Sequence, residues 1–255
     1  MATLEAVKAQ RFRTAVRGGV VTVEVGPERV KHFIHKALLE EKSEYFKKAL
    51  NGPWKEAEDK VVFLDDVDCR SFAVFVDWLY TGEIPADCDG FNDDRCPKVS
   101  GNKLRALWHT NTQLAMLKAY TFADRMISPD LCKALEHHII DYFIYCESSY
   151  YGAVIYAFTR LPPTNPILRV MIDSHCHSFL AIDDEEHNGE LQLRAQLPNA
   201  FLVGVMLRLA KVNSELLAKV DECDSCDYAV DLDAHDYHDH ATEKERKECQ
   251  KAAFV

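Results

Sequence analysis

At 255 residues the chain has room for one large domain or two modest ones. A net charge of −11 excludes a surface that tracks phosphates, because such surfaces need clustered Lys and Arg. No run of about 18 apolar residues is present, which excludes a membrane-spanning helix of the usual kind.

The N-terminal arm, residues 1–17, sets Lys8, Arg11, Arg13 and Arg17 against Glu5 and reads as solvated. It lacks the apolar core of a signal peptide, so a cytoplasmic or nuclear location is expected. "VVTVEV" (20–25) alternates around Thr22 and Glu24 as a half-buried strand does. Gly26-Pro27 signals a turn, and "RVKHFIH" (29–35) returns as a second strand. Leu38 and Leu39 predict a short helix. Ser43 reads as the N-cap of the next one, with Tyr45, Phe46, Ala49 and Leu50 on one face. "NGPW" (51–54) breaks that helix, and "KVVFL" (60–64) is a short β-branched strand. Phe72, Phe75, Val76 and Leu79 then recur at helical spacing, with Asp68 or Ser71 as cap and Gly82 at the C-terminal end. Trp54 and Trp78 read as packing residues.

Residues 86–103 are rich in Asp, Gly, Asn and Pro and read as an insertion loop carrying Cys88 and Cys96. Helical pattern resumes at 112–126, where Ala115, Ala119, Phe122 and Met126 share a face. Ser128-Pro129 starts another helix whose buried side is Leu135, Ile139, Tyr142, Phe143 and Cys146. After the break "LPPTNP" (161–166) comes a stripe of Leu168, Ile172, His175, Phe179 and Ile182. An acidic loop follows at 183–190. Pro198-Asn199 opens a further helix with Leu202, Val205, Met206, Leu209, Val212 and Leu216 inward. From Asp221 to Glu248 eleven acidic residues face Lys244, Arg246 and Lys247, and such a segment is expected to be loosely ordered.

The first half carries a resemblance. "VTVEVGPERVKHFIHKALLEEKSEYFKKALNG" resembles the opening of a BTB/POZ domain, through His35-Lys36, Leu38-Leu39, Ser43 and Tyr45-Phe46. "VVFLDDVDCRSFAVFVDWLYTGEI" resembles its next part, a strand, an acidic turn, an aromatic helix and Tyr-Thr-Gly. "LKAYTFADRM" (117–126) is similar to a later helix of that family. Many members carry an Asp just before the first strand, tied to their dimer interface; here Gly18-Gly19-Val20 stand there. The whole resembles standalone fungal BTB proteins, in which a helical segment and a short Cys/His tail follow the domain. The resemblance implies an α/β (α+β) fold, a small sheet covered by helices over 18–128, then an all-helical segment at 129–217 and an acidic Cys/His tail at 218–255.

Signs of an enzyme are missing. There is no phosphate-cradling glycine loop, no nucleophile elbow and no HExxH. On a helix, the adjacent His137 and His138 point about 100° apart. His175 and His177 of "HCH" diverge further, and His175 reads as a core residue. Cys69, Cys132, Cys146 and Cys176 lie in apolar or helical patterns and read as small core residues.

The tail is different. His235, His238, His240 and Cys249, spaced H-x2-H-x-H-x8-C, offer the four N and S ligands a structural zinc ion takes. On one straight helix they could not converge; in an irregular segment they could. Cys223 and Cys226 are alternative ligands, to be combined with two of the histidines. Fungal BTB proteins often end in Cys-x2-His-x-His and a later Cys, which this tail resembles with His235 in place of the first Cys. The expected function is a non-enzymatic protein–protein interaction module. The resemblance implies a partner that is a cullin scaffold, the chain serving as substrate adaptor of a ubiquitin ligase, or a second copy of itself. A transcriptional co-regulator built on the same fold is the second reading, and a metal-dependent enzyme centred on the tail the third. Neither a nucleic-acid nor a membrane partner is expected.

Overall fold

The computed structural model describes residues 13, 15, 16, 18–85, 104–145, 149–179, 190–219, 237, 238, 240 and 242–252, with side chains for all but 104–111, 216–219 and 250–252. The chain divides into two compact units: residues 1–100 with 115–135, and residues 101–114 with 136–255. The insertion loop 86–103 and most of the N-terminal arm lie outside the described residues. Within the arm, Ala15 is buried, and its carbonyl accepts the Gly18 N–H at 3.2 Å.

The first unit is built on a three-stranded sheet. Strands β1 (Val20–Val25) and β2 (Val30–His35) form the expected antiparallel hairpin, and β3 (Val61–Leu64) pairs parallel to β1, giving the order β2-β1-β3. Alternation sends Val21, Val23 and Val25 fully inward. Gly26, with φ of 72°, makes the tight turn after β1, where a left-handed backbone favours glycine. On the other side of the sheet Val20, Phe33 and Phe63 stay exposed. His32, which the sequence left unremarked, is buried with its ring edge-on to Phe72 at 4.8 Å.

Helices α1 (Lys36–Lys42), α2 (Glu44–Asn51), α3 (Lys55–Asp59) and α4 (Cys69–Thr81) belong to the same unit as the sheet, joined by the part of α5 (Leu104–Arg125) from Ala115 and the part of α6 (Pro129–Tyr145) to Leu135. Ser43 caps α2 as expected: its hydroxyl accepts the Phe46 N–H at 3.2 Å. It also donates to the Met126 carbonyl at 2.6 Å, so one buried residue joins α2 to the end of α5. His35 occupies the strand–helix junction, but its Nδ1 meets the Tyr80 hydroxyl at 2.9 Å rather than capping backbone. Asp68 caps α4 and Gly82 ends it in the left-handed conformation. The buried face of α4 is Phe72, Val74, Phe75, Trp78 and Leu79; Val76 is only half-buried, while Val74 and Trp78 are buried instead. Rings of Phe46, Phe72, Phe75 and Phe122 interlock at centroid distances of 5.5–5.9 Å, fusing α2, α4 and α5 into one core. Trp54 departs from expectation. It is 62 % exposed, with its ring lying over Gly52.

The second unit is all-helical in its described residues. It holds the rest of α5 and α6, then α7 (Tyr151–Arg160), α8 (Pro166–Ser178), α9 (Glu190–Leu193) with a 3-10 turn to Gln196, α10 (Asn199–Lys219) and α11 (Glu243–Ala252). Buried Glu190 accepts the Tyr151 N–H at the start of α7. Helix α8 buries Ile167, Leu168, Val170, Met171, Asp173 and Ser174, a face turned from the predicted stripe, of which Ile172, His175 and Phe179 are half-buried. Helix α10 also departs from prediction. Its inward residues are Phe201, Gly204, Val205 and Arg208, while Leu202, Met206 and Leu209 are exposed. The reason is local: at Gly204 a Cβ would fall 2.4 Å from Ile172 Cδ1, so the bare backbone sets the close approach to α8. Cys69, Cys132 and Cys176 are half-buried rather than core, and burial pushes the Cys176 thiol up to about 11.

Because Ser43 supplies both a cap and a buried cross-link, Ser43→Ala is expected to cost about 2 kcal/mol. Urea unfolding should show a lowered midpoint at unchanged m-value; an unchanged midpoint would contradict the linking role.

Candidate metal centre

Three helices position the candidate residues, and those residues all belong to the second unit. Helix α6 starts at Pro129, where the missing N–H costs nothing. It carries His137 and Asp141 four residues apart, hence one above the other on the same face. Helix α8 is capped by Asn165, whose side chain accepts the Ile167 N–H at 2.9 Å, and it presents buried Asp173. Helix α11 begins after Thr242, whose hydroxyl accepts the Glu245 N–H at 3.3 Å; Cys249 lies two turns in. The acidic tail is therefore not uniformly loose: it contains a capped helix and a docked segment.

The docking starts at Tyr237. Its hydroxyl donates to Asp173 Oδ2 at 2.5 Å, and Arg208 Nε lies 2.8 Å from the other carboxylate oxygen. Arg169 adds a longer contact of 3.8 Å to Asp173, and its guanidinium lies over the Tyr237 ring at 5.2 Å. A buried carboxylate needs such partners, and here they come from α8, α10 and the tail together. Burial and the hydrogen bond to Asp173 both push the Tyr237 phenol up, so it stays a donor.

With Tyr237 fixed, His238, His240 and Cys249 converge. One ligand atom from each lies within 4.8 Å of the others. His238 Nδ1 is 3.1 Å from Cys249 Sγ, and its Nε2 is 3.1 Å from Asp141 Oδ1. The His238 side chain is only 3 % exposed, Asp141 44 %. The His137 ring stacks on His238 at 4.2 Å and 14°. His240 sits edge-on to His238 at 5.7 Å.

A tetrahedral zinc ion, with bonds of about 2.3 Å to sulfur and about 2.0 Å to nitrogen, separates its ligand atoms by roughly 3.3–3.6 Å. His238 Nδ1 and Cys249 Sγ, at 3.1 Å, already lie near that spacing, His240 offers a donor within 4.8 Å of both, and the softness of thiolate and imidazole suits zinc. The same line of thiol, imidazole and carboxylate has the outline of a nucleophile with its base. Here, however, burial and then the Asp141 charge push the Cys249 thiol up, the reverse of the low value a reactive cysteine shows.

Of the residues singled out in the sequence, the structure brings together His238, His240 and Cys249. His235, Cys223 and Cys226 lie outside the described residues. His137 was set aside with His138 as a pair that does not converge, and Asp141 was missed. Their i, i+4 spacing on a helix was visible, but nothing in the sequence set them against a tail 97 residues further on. His138, half-buried beside them, has its imidazole held below the usual range by burial.

Tyr237→Phe removes the bond to Asp173 while keeping the ring. Losing a bond to a charged acceptor costs about 1.5–3 kcal/mol, so amide exchange in α11 should speed up roughly tenfold to a hundredfold. Exchange rates unchanged from the parent protein would show that Tyr237 does not hold the tail.

A search of curated proteins finds no match to the chain. A family model does match, that of the BTB/POZ domain, over residues 20–95. That span takes in the sheet, the Ser43-capped helix and the aromatic helix α4 described above. The chain thus carries a BTB/POZ domain, a protein–protein interaction module, in its first unit.

Proposed function

We propose that the chain is a non-enzymatic interaction protein in which the BTB/POZ domain docks to a cullin-type scaffold while the second unit recruits a target for ubiquitin transfer. The observation that carries this reading is the pairing of a BTB/POZ domain at 20–95 with a separately packed helical unit. One unit can hold a scaffold while the other presents a different surface. The net charge of −11 supports a protein rather than a nucleic-acid partner, and among the described residues no helix is long and apolar enough to cross a membrane. A cytoplasmic or nuclear setting goes with this role. At micromolar concentration the full chain should co-elute with a cullin scaffold. Separate elution at that concentration would overturn the adaptor reading.

A second reading, self-association, is favoured by the outer face of the sheet. Phe33 is 69 % exposed, and Val20 and Phe63 are each 49 % exposed. Apolar residues grouped on one face are a common mark of a protein interface. A solution mass of one chain at micromolar concentration would sink it. The transcriptional co-regulator reading has no residue pattern of its own here.

The tail belongs to the proposal as a structural part. His238, His240 and Cys249 are suited to one structural zinc ion, whose fourth ligand is not among the described residues. Such an ion would order a segment too polar to bury a core. Full-length protein purified without a histidine tag should contain one zinc per chain, lost in the His238→Ala, Cys249→Ala double variant. Folded protein free of metal would end the zinc reading.

A further inference from the structure

Resting on the zinc reading, we infer that Asp141 is a positioning residue that fixes the His238 tautomer, so that Nδ1 and not Nε2 binds the ion. Asp141 and His137 together hold the ring from helix α6.

The two nitrogens of His238 have different neighbours. Nε2 faces Asp141 Oδ1 at 3.1 Å, and an ionised carboxylate only accepts. The proton of a neutral imidazole therefore sits on Nε2. Nδ1 keeps its lone pair, aimed at Cys249 Sγ 3.1 Å away. Without metal the thiol donates to Nδ1. Were zinc bound, the thiol would give up its proton to water and Nδ1 and Sγ would both direct lone pairs to the ion, which asks for a separation of about 3.6 Å. The change is about half an ångström, within reach of small side-chain rotations.

Turning the ring over would break this arrangement twice. A 180° flip about Cβ–Cγ puts Cε1 where Nε2 met Asp141 and Cδ2 where Nδ1 met the sulfur, so both contacts are lost. The face of the ring is also occupied, since His137 stacks on it at 4.2 Å and 14°. His137 and Asp141 stand one turn apart on α6, so a single rigid helix supplies both the edge and the face contact. A carboxylate on the far nitrogen of a ligating histidine orients the ring and strengthens it as a ligand. Losing such a partner typically lowers metal affinity 10- to 100-fold. The contact also decides where the tail is tied: Cys249 and His240 belong to the tail itself, whereas Asp141 belongs to the helical body of the second unit.

The test uses the full chain labelled with nitrogen-15. Two-bond proton–nitrogen correlation on metal-free protein should show His238 protonated on Nε2. On adding zinc, the Nδ1 signal should move while Nε2 keeps its proton. A proton on Nδ1 in the metal-free chain, or an ion on Nε2, overturns the inference. In chelator competition, Asp141→Ala should lower zinc affinity 10- to 100-fold, with Asp141→Glu recovering most of the loss. Unchanged affinity in a folded Asp141→Ala chain also overturns it. Wild-type protein that takes up no zinc defeats the zinc reading instead, and the metal-free spectrum then decides the tautomer independently.

Discussion

The second unit turns on one buried carboxylate. Asp173 has been taken out of water on α8, and its charge must be met where it stands. Arg208 meets one oxygen from α10 and Tyr237 the other from the tail. Removing any of the three leaves the others badly placed in a poorly solvated site. Once Tyr237 is fixed, the next residue, His238, has little choice of position. The cluster of His238, His240 and Cys249 is thus a consequence of an ion pair that contains none of them.

The first unit rests on different physics. There, four interlocking phenylalanine rings and the double role of Ser43 join helices that are far apart in sequence. These contacts are apolar or neutral, and their strength depends little on salt or ionisation. The core of the first unit is thus apolar, while the tail of the second unit is held by ionisable groups.

Much of the first unit was legible because its signals are local. An alternating strand, a serine before an aromatic helix and a glycine at a helix end each act over a few residues. The resemblance carried by His35-Lys36 and Tyr45-Phe46 pointed to the family that the match over 20–95 bears out. The second unit was harder to read. The apolar residues of α10 lie on more than half of its circumference, so periodicity alone could not say that Phe201 and Gly204 face inward rather than Leu202 and Met206. Short α3 buries no residue and carries no stripe to announce it, whereas α7 went unread although its buried Tyr151, Val154 and Ala157 recur every three residues. In the tail the histidines and Cys249 were legible as donors, because residue type alone marks them. Asp141 was not, since an aspartate on a helix looks like any solvated charge until its neighbour across the fold is known.

The distance in sequence between Asp141 and His238 also has a meaning in time. Their contact joins residues 97 positions apart. At the usual pace of protein synthesis, about 5–20 residues per second, His238 is made roughly 5–20 s after Asp141. A helix relaxes in microseconds or less, so α6 has ample time to form before its partner exists. During that interval His137 and Asp141 have been made with nothing from the tail to set against them. The ordering of the tail is accordingly the last local event in the birth of this unit, and the state of the clasp records whether the chain has been read through to Cys249.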